Sequence, residues 1–408
     1  MAHITAWAGF IFALPFVIFP GLFGSLADRY SKKDVAVWTK YLEIAVMVLG
    51  TLGFLYHQPA LLWIGLFLLA SQAAMFGPPK YGLLPETLDD TKLSWANGIV
   101  QGSTMIAIIL GAAVGGKLYD KLGHANMYLG GCLLLALAAI GTLSSHFIMR
   151  PPAANPEQRI RLNPWAGMGR DLRVIMSDRW LYMIAFGYSY FWFAGALLLQ
   201  NIVVFATVNL GLGMTEVGIM SGVLSLGIGA GSLAAGYLSR GKVEFGFVPI
   251  GGAILASLCM LLAWPGFAYY PVLILLFGIG VGGGMFDVPL AAGLQHRSPQ
   301  HIRGSIMATA NMLTWVGILA ASPAFLLLSY LGIGSHGVFF LTGLLTLTVL
   351  VVTCIMTPQI FVRAVLWILS NTFLRLELRG RVNVPERGGA LLVTTYLSFI
   401  DALVITAA

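Results

Sequence analysis

The chain has 408 residues, 58% of them hydrophobic and only 10% charged, and its mean hydropathy is +0.86. A soluble domain carries about a quarter charged residues, so a single soluble enzyme domain is excluded for most of the length. The net charge of +7 would point to nucleic acid in a soluble protein; here the charge sits in the connections between apolar runs, and no nucleic-acid partner is expected.

A membrane helix needs about 20 mainly apolar residues. Eleven such runs follow one another, near 4–23, 36–56, 60–77, 94–118, 123–148, 180–208, 216–239, 246–267, 270–292, 303–331 and 336–357. Cytoplasmic connections retain excess Lys and Arg. Arg29, Lys32 and Lys33 follow the first run, Lys80 and Lys92 the third, and Arg150, Arg159, Arg161, Arg170, Arg173 and Arg179 the fifth. Arg240 and Lys242 follow the seventh, Arg297 and Arg303 the ninth, and five Arg lie beyond the last, whereas only Lys117 and Lys121 fall on the other side. Connections after odd-numbered runs are therefore expected in the cytoplasm, with Met1 outside. The first run would then enter the membrane from outside, which predicts a helix missing in front of it. Forty-nine Gly suit closely packed membrane helices. Cys132, Cys259 and Cys354 lie in apolar runs at spacings that suit neither disulfides nor a metal, and no cofactor is expected.

Internal repeats support the same count. Gly24-Ser-Leu-Ala-Asp-Arg-Tyr-Ser-Lys-Lys33 ends the first run, and Gly236-Tyr-Leu-Ser-Arg-Gly-Lys242 ends the seventh. At nearly the same offset, Met75-Phe-Gly-Pro-Pro79 closes the third run and Met285-Phe-Asp-Val-Pro289 the ninth. Two halves of one design follow, but only the second has a full helix before its copy of the repeat. The expected division is an amino-terminal bundle at 1–148 lacking its first helix, a basic cytoplasmic linker at 149–179, a six-helix bundle at 180–357, and a distinct segment at 358–408.

Gly24-x-x-x-Asp28-Arg29-x-x-x-Lys33 resembles the signature loop of the major facilitator superfamily. Met75-Phe-Gly-Pro-Pro-Lys80-Tyr81-Gly-Leu-Leu-Pro-Glu86, followed by Lys92-x-x-x-x-Asn97-Gly98, is similar to the lysophospholipid transporter branch, which carries a Pro-x-Lys-Tyr-Gly-x-x-x-Glu run and an Ala-Asn-Gly at this place. The resemblance covers about residues 1 to 357 and implies an all-α, two-bundle membrane fold of twelve helices, eleven of them present. By that analogy, Asp28 caps the N-terminus of the helix starting at Arg303 and holds the outward-open state; a plain surface turn is the other reading.

The segment from 358 onward differs in kind. Phe361, Val365, Leu366, Ile368, Leu369 and Leu374, with Arg363 and Arg375, suit an interfacial amphipathic helix over 359–374, or else a frayed linker. Leu378 to Asp401 resembles the start of a glycerolipid acyltransferase domain of the 2-acylglycerophosphoethanolamine type. There an Asn-His-x-x-x-x-Asp run supplies a His base and an orienting Asp. Here Thr395 and Tyr396 stand in place of Asn and His before Asp401. A phenol, whose ordinary pKa is about 10, is a poor base at neutral pH. With the further motifs of that family not following before Ala408, acyl transfer is not expected, and an α/β start of 376–408 is expected to be poorly ordered.

The fusion implies a function. It resembles a pairing in which a lysophospholipid, especially lyso-phosphatidylethanolamine, is moved across a bacterial inner membrane to the cytoplasmic leaflet and re-acylated there. The expected partners are that lipid and the bilayer, with a coupling ion as a further candidate. Two alternatives stay open: a membrane anchor for a bifunctional acyltransferase, and a facilitator for another small solute.

Ionisable and polar groups inside a membrane are functional candidates by default. Glu43, Asn97, Gln101, Lys117, Gln200, Asn201, Asp287 and Asn311 qualify by position. Asn97 and Asn311 occupy corresponding places in the fourth and tenth runs, where they suit a polar patch for a head group or plain interhelical hydrogen bonding. Lys80 and Glu86 flank Pro85 as a gating pair or a loop ion pair, with Tyr81 beside them on the path. Lys117 and Asp120 form a solvated pair or meet a head group. The aromatic run Phe186, Tyr188, Tyr190, Phe191, Trp192 and Phe193 is core packing or a greasy path for an acyl chain.

Overall fold

A computed structural model describes residues 11–122, 126–158, 160, 167–239, 243–359, 361, 362 and 365, and every regular element among them is helical. In lipid each backbone polar group must be satisfied within its own segment, which leaves long apolar runs only the helix. In chain order the helices are α1 (Ile11–Ile18) and α2 (Pro20–Arg29), α3 (Lys32–Leu55), α4 (Pro59–Thr87), α5 (Leu93–Leu122) and α6 (Met127–Ser145). After them come α7 (Met168–Ser177), α8 (Arg179–Val204), α9 (Met214–Leu238), α10 (Phe247–Leu262), α11 (Tyr269–Arg297), α12 (Arg303–Tyr330) and α13 (Ser335–Met356).

Nine helices among the described residues are long and apolar enough to cross a membrane, or ten if the bent pair α1 and α2 is one span; α10, with 16 residues, is apolar but shorter. Several boundaries differ from the hydropathy reading. The first run does not end at residue 23: it bends by 56° between α1 and α2 and continues to Arg29. Pro20, at the start of α2, lacks the N–H that a continuous helix would use there. Gly24 to Arg29 are therefore helical, not a loop. The third and ninth runs likewise do not close at Pro79 and Pro289. α4 runs through Pro78, Pro79 and Pro85 to Thr87, and α11 through Pro289 to Arg297. Packed neighbours let membrane helices keep such prolines. Consequently Lys80, Tyr81 and Glu86 project from a helix.

α3 packs against α4 and α6, while α8 to α13 pack among themselves around the glycine-rich α11. Two helix pairs make most of the contact between these groups, α2 with α12 and α5 with α9, and α4 with α12 and α5 with α11 add to it. The pattern has a two-fold sense, because α2 and α9 carry the two copies of the repeat found in the sequence. α5 and α12 each start directly after a short 3-10 turn, Asp90–Lys92 and Gln300–Ile302. Inside the linker lies a further helix, α7, which hydropathy does not reveal. It buries Asp171 and Ile175, one turn apart, against α8 and α12.

Within the expected interfacial helix, only residues 359, 361, 362 and 365 are described, and they are helical. The rest of 359–374, and Thr395, Tyr396 and Asp401, lie outside the described residues. So do Arg159, Arg161, Arg240, Lys242 and the side chains of Lys117 and Asp120.

Candidate functional site: the crossings between the helix groups

An α-helix begins with backbone N–H groups that have no intrahelical acceptor. The helix α8 satisfies its own with Asp178, whose carboxylate accepts from the N–H of Trp180 at 2.8 Å and of Leu181 at 3.3 Å. In α12, Ile302 stands at that position and supplies no side-chain cap. The cap comes from across the crossing: Asp28 of α2 accepts from Gly304 N at 2.6 Å and Ser305 N at 3.0 Å. Asp28 is fully buried, so the carboxylate acts on the helix dipole where water does not screen it. Close approach is what permits this contact. A Cβ on Gly24 would lie 2.8 Å from Ser305 Cα, and one on Gly304 would lie 3.0 Å from the Gly24 carbonyl. Arg303, the first residue of α12, is nearly buried at the same place.

The second crossing uses the same small-residue chemistry. A Cβ on Gly98 of α5 would stand 2.6 Å from Ser232 O and 3.1 Å from Gly236 Cα of α9. Beside it, Asn97 and Gln295 of α11 exchange two hydrogen bonds: Asn97 Nδ2 donates to Gln295 Oε1 at 2.8 Å and Gln295 Nε2 to Asn97 Oδ1 at 2.9 Å. Both side chains are buried. Asn97 thus makes an interhelical hydrogen bond, and Asn311 lies elsewhere. Asn311 faces Gly77 of α4, whose Cβ would lie 3.6 Å from Asn311 Nδ2, and with Tyr81, Tyr188 and Gln295 it lines a small cavity between the groups.

The Lys80–Glu86 pair does not form either. Glu86 pairs with Lys32, a buried cation at the start of α3. Gly82 makes the route, since a Cβ there would stand 2.6 Å from Lys32 Cε. Lys80 instead donates to Thr104 Oγ1 at 3.3 Å and lies 5.2 Å from the Tyr81 ring. Nearby, Glu43 accepts from Lys40 at 2.7 Å and from Gln72 at 3.1 Å. A polar group of two cations and one acid thus sits inside the first helix group. Beyond Glu43 and Gln72, an apolar groove of about 510 Å³ runs between α3, α4 and α6, lined by Val46, Met47, Phe54, Leu62, Trp63 and Leu69 among others.

The remaining candidates separate. Arg29 stacks on the Tyr30 ring at 5.7 Å, and Lys33 donates to His146 O at 2.7 Å. Gln200 and Asn201 hold helices together, through Ser322 Oγ at 3.2 Å and Ser335 O at 3.0 Å. Gln101 Nε2 and Asp287 Oδ1 are buried without a hydrogen-bond partner among the described residues. Of the aromatic run, Tyr188 and Phe191 belong to the core and Tyr190 bonds Thr346 Oγ1 at 2.6 Å, so packing is the main work of that helix. Sequence reasoning missed Lys32, Lys40, Gln72, Gln295 and Ser305 as members of these contacts. Lys32 and Lys40 carried a signal, since each is a cation beside or inside an apolar run; the others had none.

The comparisons with known proteins accord with this geometry. Residues 2–322 match the Major Facilitator Superfamily. The lysophospholipid transporter LplT of Enterobacter sp. (strain 638) is 31% identical over 346 residues, which is 82% of this chain and 84% of that protein. LplT of Cronobacter sakazakii is 30% identical over 311 residues, 74% of each chain. Among solved structures, the E. coli fucose:proton symporter FucP superposes with a TM-score of 0.68 at 13% identity, covering 86% of this chain and 91% of its own. The human organic anion transporter MFSD10 does so with a TM-score of 0.69 at 14% identity, covering 84% and 82%. With its two helix groups, long apolar helices and these matches, the chain is a multi-pass membrane protein that belongs to the major facilitator superfamily and, within it, to the LplT family.

Proposed function

We propose that this chain moves lysophospholipid, with lyso-phosphatidylethanolamine favoured, to the cytoplasmic leaflet of a bacterial inner membrane by alternating access of two bundles, residues 1–148 and 180–357. The observation that carries the reading is the cap of α12 by Asp28 from the opposite group. Around Asp28 the two groups meet through glycines and hydrogen bonds, while Phe12 and Phe16 of α1 pack on Trp315 of α12 further along. The contact around Asp28 can part without exposing much greasy surface, as a rocking mechanism requires at the end that opens. The Asn97–Gln295 exchange supports it as a second breakable contact between the groups. The LplT relatives are named as lysophospholipid transporters, and that substrate class is adopted here.

In this reading Glu43, Lys80, Tyr81, Gln101, Asp287 and Asn311 belong to the substrate path. Lys40, Lys80 and Glu43 offer both signs of charge to a zwitterionic head group. Gln200 and Asn201 are structural. A coupling ion remains a candidate partner, and its site is not assigned. The test is transfer of labelled lyso-phosphatidylethanolamine by proteoliposomes containing the chain, beside diacyl phosphatidylethanolamine and a water-soluble sugar. Selective transfer of the lysolipid is expected; transfer of the sugar alone would favour the facilitator reading, and no transfer at all would remove the proposal.

The similarity of Leu378–Asp401 to an acyltransferase start supports a link to re-acylation, with the tail on the cytoplasmic side where acyl donors reside. Tyr396 in place of a His base argues against chemistry by this polypeptide. No acyl transfer is expected from the purified chain at saturating lysophospholipid and acyl donor, even after Tyr396→His. Acyl transfer that disappears in Asp401→Ala would instead promote the enzyme reading.

A further inference from the structure

The helix α11 carries an acid that nothing in the described part of the chain neutralises. Asp287 is 1% exposed and lies inside a helix long and apolar enough to span the membrane. Among the described residues, its Oδ1 meets no hydrogen-bond donor and no cation stands near enough to pair with it. An ionised carboxylate held away from water without a partner is far costlier than the neutral acid, so such a group keeps a proton. Its neighbours are neutral too. The hydroxyls of Tyr81 on α4 and Tyr188 on α8 are close enough to feel its charge. Lys80 of α4 turns away to Thr104, Glu86 is held by Lys32, and Tyr190 of α8 bonds Thr346. From α5, Asn97 reaches α11 as an amide, with Gln101 one turn deeper on the same face. The titratable residues of α9 and α12, Glu216, Tyr237, Arg303 and Tyr330, stand at the helix ends, as do Arg179 and Tyr182 of α8. Cys259 of α10 lies in an apolar cluster.

Helical spacing puts Asp287 on one face of α11 with Ala291, Leu294 and Gln295. Those three, with Tyr81 and Tyr188, line the small cavity between the two helix groups, whose volume of about 20 Å³ suits about one water molecule. Gln295, two turns nearer the end of α11, is tied to Asn97 of the other group and covers the cavity on that side. On the alternating-access reading above, we propose that Asp287 is the site of the coupling ion and that the ion is a proton, held while the groups are closed and released when they part. As Asn97 and Gln295 separate, water enters past Tyr81 and Tyr188. The carboxyl O–H bond then breaks, the proton passes to that water, and a hydrated carboxylate is left behind. Closing again requires the carboxylate to take a proton back, because the closed site offers the charge no partner. Intramembrane acids serve as relays of this kind. A sodium ion fits the site less well, since it needs several oxygen ligands and Oδ1 has no polar neighbour.

The first test needs no substrate. Ala310, 1% exposed and lining the cavity, is replaced by Cys in a chain whose Cys132, Cys259 and Cys354 are replaced by Ala. Its alkylation by N-ethylmaleimide is timed in lipid nanodiscs, in sodium-free buffer, at about pH 6 and about pH 8.5. Each rate is divided by that of the same chain carrying Asp287→Asn, which cancels the reagent's own pH dependence and the titration of Asp28. Raising the pH takes the proton from Asp287 and favours the open state, so the ratio should rise about threefold or more. Asp287→Ser, a second neutral variant, should serve as well as Asp287→Asn and guards against a folding defect in either. A ratio that stays constant or falls against both variants overturns the proposal. The second test is uptake of labelled lyso-phosphatidylethanolamine into proteoliposomes, with and without an inside-alkaline pH gradient. The gradient should speed uptake by the parent chain and not by Asp287→Asn; equal stimulation of both overturns the proposal. Absence of uptake by every chain would remove the lysophospholipid reading, and the alkylation ratio would still decide whether Asp287 ties a proton to opening.

Discussion

Asp28→Asn is expected to slow lysophospholipid transport about tenfold or more while leaving membrane insertion intact. The carboxylate accepts from two backbone N–H groups of α12, and hydrogen bonds to a charged group contribute about 1.5–3 kcal/mol each. Asn retains one acceptor and turns an NH₂ toward the other N–H, so one bond and the charge–dipole attraction are lost together. A loss of about 1.4 kcal/mol already changes the ratio of two states tenfold. The fold itself should survive, because the rest of α2 keeps its apolar packing through Phe23 against Ala70 and Ala74. Proteoliposome uptake, with yield and thermal stability of the purified variant as controls, checks this. Parent-like uptake by the Asn variant would remove Asp28 from the mechanism.

Gly98→Val should abolish transport more completely, by keeping the second crossing from closing. The new Cβ would sit 2.6 Å from a backbone oxygen of α9 and 3.1 Å from Gly236 Cα, and backbone cannot move aside as a flexible side chain can. The two helices must move apart to admit it, which also strains the amide pair that the adjacent Asn97 makes with Gln295. Overpacking of this kind typically costs about 1–3 kcal/mol and occasionally more. Here that cost falls on the closed state alone, because in the open state α9 has withdrawn from that position. Uptake should therefore fall to background. Gly111→Val, on the same helix with nothing within 4 Å of its Cβ, should transport as the parent does. Equal loss in both variants would show that valine harms α5 generally and that the crossing is not the cause.

Composition and hydropathy alone determined the all-helical membrane character of the chain, because the cost of leaving backbone groups unpaired in lipid is the same whatever the neighbours are. The internal repeat was legible for a similar reason: the crossings of α2 with α12 and of α5 with α9 use the same small residues, and these recur in the letters. Asp28 was legible as a candidate because Gly24-x-x-x-Asp28-Arg29-x-x-x-Lys33 resembles the signature loop of the major facilitator superfamily. What the sequence left open were partners. Lys32 rather than Lys80 meets Glu86, since Gly82 opens the way for the longer route. Asn97 meets Gln295. The helices α4 and α11 run on through their prolines, and α7 folds onto α12 and delivers Asp171 to Ser305. Each of these depends on the rotation and depth of one helix against another far away in the chain. A hydropathy pattern records only which residues face lipid, so these registers were decided when the helices packed.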